Sequence, residues 1–207
     1  MSKCLYIFIT HKLNINNCYT RITEMMKQWK LNDDYIIVRG GASKTHYNST
    51  TRILDIDCND KYEGLPEKVF RAYKFVINNS EFNHYSHFVK LDDDIKIVKI
   101  LDECILDQIE YAGKVNPYPG DRNWHIGRCS KNCKFNNMPY AGIYVPWCEG
   151  GFGYILSRNA INRLPDNISC EDHIYEDVMI AIFLKQKNIV PKNFDITKFV
   201  LSPDHKY

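Results

Sequence analysis

Three consecutive carboxylates, Asp92-Asp93-Asp94, close the apolar run His87–Leu91. Adjacent carboxylates repel one another, so a fold tolerates them best in open solvent or around a cation. In extended chain alternate side chains share a face, so Asp92 and Asp94 are expected to point together. Oxygen ligands of this kind suit Mg²⁺ or Mn²⁺, which bind through one or two carboxylates plus substrate phosphates. A second acidic element, Glu176-Asp177, stands where a helix is expected to begin, a place that favours carboxylates on electrostatic grounds alone. Between the two lies Trp147-Cys148-Glu149-Gly150-Gly151-Phe152-Gly153-Tyr154. Its glycines allow close approach of a ligand to the backbone. No Gly-Lys-Ser/Thr follows, so it is not a P-loop. Trp147, Glu149, Gly150 and Gly151 are candidates to line a ligand pocket, because an aromatic face offers stacking and a carboxylate accepts from hydroxyls; core packing is the competing role for Trp147. Lys90 is either a partner of the aspartates or a plain strand residue.

Strand and helix signals alternate around these groups. Cys4–Thr10 is a continuous apolar run, the pattern of a strand buried on both faces. Cys18, Ile22, Met25, Met26 and Trp29 recur at helical spacing within Ile15–Trp29. Strands follow at Tyr35–Val38 and Arg52–Ile56. Leu65–Asn78 reads as a helix with Pro66 in its first turn. His87–Leu91 is a strand, and Ile95–Ile97 is extended. Val98–Ile109 reads as helical and Tyr111–Val115 as a strand. The Pro-, Gly-, Asn- and Lys-rich stretch Asn116–Met138 reads as a long surface loop, a kind that is usually functional. Tyr154–Leu156 is a strand, Ser157–Leu164 a helix capped by Ser157, and Val178–Lys187 another helix. Alternation of this kind predicts an α/β fold, its central mostly parallel sheet flanked by helices. Ligands collect at the carboxyl ends of strands in such sheets. Asp92–Asp94 sit there, as do Thr10 and His11 after the first strand and Arg39 with Gly40–Gly41 after the second. Thr10 and Arg39 are therefore candidates to meet a nucleotide.

The 207 residues suit one domain, 1–207, and the 44% apolar fraction excludes disorder as the main state. A formal charge of +2 gives no electrostatic case for nucleic acid. No stretch reaches the roughly 18 apolar residues of a membrane span. Met1–Thr10 lacks a signal-peptide cleavage site. The cytoplasm is the expected compartment, with the eight cysteines as reduced thiols. Cys129-x3-Cys133, followed by Cys148, offers part of a zinc site, but it lacks the paired C-x2-C-type ligands of a tidy structural one. Oligomeric state is left open.

Taken together, four motifs resemble the inverting β1,3-glycosyltransferases, the family of the Fringe enzymes and the β1,3-galactosyl- and N-acetylglucosaminyltransferases. Asp60-x-Tyr62-x-Gly64-Leu65-x-x-Lys68 is similar to the family's D-x-Y-x-N-L-x-x-K before a long helix. Phe88-Val89-Lys90-Leu91-Asp92-Asp93-Asp94 is similar to its lysine-containing strand ending in the D-x-D element. Gly151-Phe152-Gly153-Tyr154-Ile155-Leu156-Ser157 is similar to G-x-G-Y-v-l-S, and Glu176-Asp177-Val178 to E-D-V at a helix start. They run in order from Asp60 to Val178. The family's Golgi members add an anchor and paired cysteines, and Asn116–Met138 does not match closely, so acceptor recognition is not carried over.

The resemblance implies a GT-A fold, with residues 1–97 as the nucleotide-binding half and 98–207 as the acceptor and catalytic half. It implies a UDP-sugar donor, a glycan acceptor, a bound Mn²⁺ or Mg²⁺ and a β1,3 product. Asp94 would ligate the metal, with His205 in the late Ser202-Pro203-Asp204-His205 as a second ligand. Asp92 or Asp93 would bond the ribose or place the metal's waters. Asp177 would be the general base. Trp124 and His125 lie in the loop that would meet the acceptor. Two other readings remain open from the residues alone: a Mg²⁺-dependent phosphohydrolase or nucleotidyltransferase, and a catalytically inactive carbohydrate-binding relative.

Overall fold

The computed structural model describes residues 3–117 and 122–201. The first half runs β1 (Cys4–Ile9), α1 (Ile15–Gln28), β2 (Tyr35–Arg39), β3 (His46–Asn48), β4 (Ile53–Asp55), α2 (Leu65–Asn78), β5 (His87–Asp92) and β6 (Lys96–Ile97). The second runs α3 (Glu103–Leu106), β7 (Tyr111–Gly113), β8 (Val115–Asn116), β9 (Trp147–Cys148), β10 (Tyr154–Ser157), α4 (Arg158–Asn162), α5 (Glu176–Lys185), β11 (Lys192–Asn193) and β12 (Val200–Leu201). Among these residues eight strands form one sheet in the order β11-β7-β10-β5-β1-β2-β4-β3. The ladders joining β5, β1, β2 and β4 are parallel. β10 enters antiparallel between β5 and β7, and β3 closes the other edge antiparallel.

Side-chain alternation along β1 builds two cores, as the period of a strand requires. Leu5, Ile7 and Ile9 join Val69, Tyr73 and Val76 of α2, Ile161 of α4 and Val178–Leu184 of α5 on one face. Cys4, Tyr6 and Phe8 join Ile15, Cys18, Ile22 and Met26 of α1, with Ile97 and Leu106, on the other. The expected sheet flanked by helices is therefore present. α5 is buried almost all round, because α2 covers its outer side. No helix among the described residues is long and apolar enough to cross a membrane.

The parallel register levels the strand ends. Ile9 of β1 lies opposite both Val38 of β2 and Asp92 of β5. Thr10, Arg39 and the Asp92–Asp94 triplet thus emerge along one edge, the ligand crevice of an open α/β sheet.

Some elements differ from the sequence reading. Val98–Ile109 is helical only over α3, because the Val98 and Lys99 N–H groups both donate to the Phe199 carbonyl, at 2.8 and 3.3 Å. That prolongs the β6–β12 ribbon, and tertiary pairing overrides helix propensity. The strand expected at Tyr111–Val115 divides into β7 and β8, and β8 turns away to pair with β9. β3 and β9 are too short to show a period. α2 keeps the predicted bounds, and α4 is capped by Ser157, whose hydroxyl accepts from the Ala160 N–H at 3.0 Å.

Candidate active site

Asp177 is the second residue of α5 and is buried. Its carboxylate accepts from the Gly150 N–H at 3.0 Å and from its neighbour's Val178 N–H at 2.8 Å. The Arg122 guanidinium lies 3.8 Å away. Burial, and then the adjacent Glu176, push the carboxyl up to about 7, against the pull of Gly150 N–H and Arg122. A carboxylate poised there takes and releases a proton near neutrality, as a general base must.

Gly150 makes this contact possible. A Cβ there would collide with Glu176 Oε1 and lie 3.4 Å from the Asp177 Cβ. Gly153 has φ +83°, and a Cβ on it would meet Leu91 Cδ2 at 2.6 Å and the Lys90 carbonyl at 2.7 Å. The glycines of the Trp147–Tyr154 stretch thus let one strand-turn pack directly on the end of β5 and the start of α5.

Lys90 joins the two acidic elements. Its buried ammonium reaches Asp92 Oδ1 at 2.5 Å, Glu176 Oε1 at 3.0 Å and the Gly150 carbonyl at 3.2 Å. Burial opposes its charge, but Asp92 and Glu176 outweigh that and hold its pKa above the ordinary range. Of the two roles open to Lys90 from sequence, the structure gives it the ionic one.

The triplet itself splits by alternation. Asp92 and Asp94 line a hollow of about 390 Å³ together with Glu149, Gly150, Gly151 and Asp177. Asp93 turns to Thr10 and Asn14, accepting from the Thr10 hydroxyl and, at 2.6 Å, from the Asn14 amide. All three aspartates border a second hollow, of about 680 Å³, with Thr10, His11, Asp60 and Lys68. Asp92 and Asp94 line both, and mark the seam between them. A hollow of about 740 Å³ along the outer side of α2 contains none of these acids.

The remaining candidates fall in different places. Glu149 faces the smaller hollow while paired with Lys114 at 3.1 Å and accepting from Asn116. Arg39 is committed to Asp55 through two bonds, of 2.5 and 3.2 Å, and lines neither hollow. β4 places that carboxylate beside Arg39 in register, which the sequence spacing did not reveal. Trp124 borders the smaller hollow, half exposed and edge-on to Tyr175 at 5.7 Å. His125, expected in the acceptor loop, is instead fully buried between the Tyr175 hydroxyl at 2.6 Å and the Met138 carbonyl at 2.8 Å. It fastens the loop from inside, because its ring bridges two segments. Trp147 is buried against Arg122 and also borders the smaller hollow. His205 lies outside the described residues.

Asp60 and Lys68 entered the sequence reading only as motif positions, and Arg122 not at all. The buried Lys68 pairs with the half-buried Asp60 at 2.6 Å. Asp60 also accepts from Lys12 N–H and Gly40 N–H, and Lys68 donates to the Thr10 carbonyl at 2.8 Å. One ion pair thereby clamps the loops after β1 and β2 to α2, which is the physical content of the first motif. Arg122 is buried with its guanidinium over the Trp147 ring at 3.7 Å and the Tyr175 ring at 4.7 Å. Among the described residues its three guanidinium nitrogens find no hydrogen-bond partner, and Asp177 and the aromatic faces meet its charge. No periodicity marks an arginine in a loop for such a place.

Comparison with known proteins shows the family. The family model described as Galactosyltransferase matches residues 47–195. The UDP-GalNAc:beta-1,3-N-acetylgalactosaminyltransferase 2 of Danio rerio is 25% identical over 134 residues, 62% of this chain and 26% of the relative. Its Homo sapiens counterpart is 25% identical over 147 residues, 69% of this chain and 27% of the relative. The chain thus spans about a quarter of the length of these curated relatives. Among solved structures, A197 from STIV aligns with a TM-score of 0.49 at 12% identity, over 99% of this chain and 92% of that one.

Proposed function

The chain belongs to the galactosyltransferase family, and from that premise we propose that it is a metal-dependent glycosyltransferase. It moves a sugar from a UDP-sugar to a hydroxyl of a glycan acceptor, inverting the anomeric centre and forming a β1,3 linkage. The observation that carries this is Asp177: a buried, hydrogen-bonded carboxylate with a pKa near neutrality, lining the same hollow as Asp92 and Asp94. The relatives named above as UDP-GalNAc:beta-1,3 enzymes support the donor class and the linkage.

The two hollows divide the labour. The larger, beside Thr10, Asp60 and Lys68, takes the nucleotide, so residues 1–97 form the donor half. The smaller, walled by residues of 98–207, takes the transferred sugar and the acceptor. Asp93, held by Thr10 and Asn14, is placed for the ribose side. Glu149, Gly150 and Gly151 line the sugar's end.

A divalent metal fits the donor set at the seam, where Asp94 offers hard carboxylate oxygen to both hollows. Asp94 would hold Mn²⁺ or Mg²⁺, with His205 as the second ligand. When bound, the cation stabilises charge on the leaving diphosphate as a Lewis acid. Lys90 keeps Asp92 and Glu176 compensated close by, so the pocket does not accumulate three bare carboxylates. Asp177 takes the proton of the acceptor hydroxyl as that oxygen attacks, and a single displacement from the face opposite the diphosphate inverts the centre. We place the chain in a reducing, cytoplasmic setting, where its eight cysteines stay thiols.

Titration calorimetry of UDP and several UDP-sugars, with and without Mn²⁺, tests the reading on the wild type and on Asp94→Ala. Metal-dependent binding that Asp94→Ala abolishes is the expected result. Absence of binding by every uridine nucleotide, or metal-independent binding equal in both proteins, would overturn it.

A further inference from the structure

Glu63 lies in the turn that leads into α2, and Cys129 and Cys133 lie in the loop between β8 and β9. Their ligand atoms, one carboxylate oxygen and two sulfurs, all fall within 4.8 Å of one another. Cys148, which follows these cysteines in sequence, is buried beneath the sheet and takes no part. We propose that Glu63, Cys129 and Cys133 form a site for a thiolate-preferring divalent cation, zinc above all, that fastens the 122–138 loop to the start of α2.

Three observations support it. The first is ligand chemistry. Two thiolates and a carboxylate are a zinc donor set, and three protein ligands leave a fourth position for water. The second is orientation. Ser130, between the two cysteines, donates its backbone N–H at 3.2 Å and its hydroxyl to the Glu63 carboxylate. A metal-ligating carboxylate is commonly aimed by such outer partners. Binding the cation then releases the thiol protons to solvent.

The third is that the loop joins no backbone ladder of the body. Among the described residues, every backbone-to-backbone hydrogen bond of 122–138 closes within the segment, from Ile126 to Asn123 through Met138 to Phe135. Each tie to the body involves a side chain: His125 on the Tyr175 hydroxyl, which in turn donates to the Arg122 carbonyl, the Arg122–Asp177 pair, the exposed Lys134–Asp172 pair, and the Ser130 N–H and hydroxyl on Glu63. Yet this loop carries Arg122, Trp124 and Arg128 to the active-site hollow. A metal held with Glu63 would lock these contacts by tying both cysteines to the start of α2.

Cobalt serves as the probe, because Co²⁺ bound by thiolates absorbs where Co²⁺ on oxygen ligands does not. The reduced, metal-stripped protein should take up one Co²⁺ with a thiolate charge-transfer band, and one equivalent of Zn²⁺ should bleach it. Cys133→Ser should lose the band, and Ser130→Ala should weaken binding on the order of 10–100-fold. Cys104→Ser and Asp94→Ala should keep it, which separates this site from the donor metal. If Cys133→Ser fails to fold, zinc protection of Cys129 and Cys133 from alkylation, read by peptide mass on the wild type, gives the same answer. A reduced protein with no thiolate band, a band that survives Cys133→Ser, or native Cys129 and Cys133 joined as a disulfide would each overturn the proposal.

Discussion

Asp177→Asn changes one oxygen for an amide nitrogen and removes the carboxylate proposed as the base. The side chain keeps its shape, so donor binding should change little. A positioned general base contributes about 10²–10⁴ in rate, and kcat should fall by that order while the KM for the donor holds. The wild type supplies the second half of the test. With the carboxyl pushed up to about 7 by burial and Glu176, only the ionised fraction works. One unit below that value about a tenth is ionised, so kcat/KM should rise about tenfold per pH unit and level off above neutrality. Stability carries the opposite sign. The unfolded carboxyl releases its proton at the ordinary value of 3.8, whereas the folded one holds it to about 7. The proton favours the fold below 3.8 as much as it ever can, and that contribution is lost as pH climbs through about 7. The Asn variant has no such loss, so its melting temperature relative to wild type should improve from acid to neutral pH. Transfer assays by product chromatography across pH, with thermal melts of both proteins, measure all three effects. A flat wild-type profile, or an Asn variant retaining more than about a tenth of kcat, would refute the assignment of Asp177 as base.

Other perturbations separate the supporting parts. Arg122→Met removes the cation 3.8 Å from Asp177, so the rising limb of the pH–rate profile should move upward by about one unit. Gly150→Ala drives a methyl into Glu176 Oε1 and disturbs the Lys90 pairing; a loss of about 1–3 kcal/mol by denaturant titration should accompany loss of transfer. Lys68→Met strands Asp60 and frees the loops after β1 and β2; it should cost about 3–5 kcal/mol and weaken UDP binding before it affects Asp177, read by melts and calorimetry.

Sequence alone reached the elements with a long period or a strong boundary. α2 carries Pro66 at its start and an apolar stripe, so local pattern and tertiary burial agree. The acidic strand end and the glycine-rich stretch were legible for a different reason. Carboxylates in a row and glycines in a cluster are costly unless position gives them a role. The alternation that sends Asp92 and Asp94 one way and Asp93 the other follows from the strand period.

Tertiary structure decided what the period does not encode. The stretch after Val98 has helical propensity, yet Phe199, about a hundred residues on, captures its N–H groups, and only α3 remains helical. Arg39 stands at a strand end, but β4 brings Asp55 beside it and occupies its guanidinium. His125 looked like a loop histidine until Tyr175 and Met138 enclosed it. Arg122 and the Glu63–Cys129–Cys133 cluster are loop residues whose significance lies wholly in what the fold sets against them. Residue types and spacing fix which chemistry is available. Which charge meets which countercharge depends on contacts between distant segments, and burial then sets their strength.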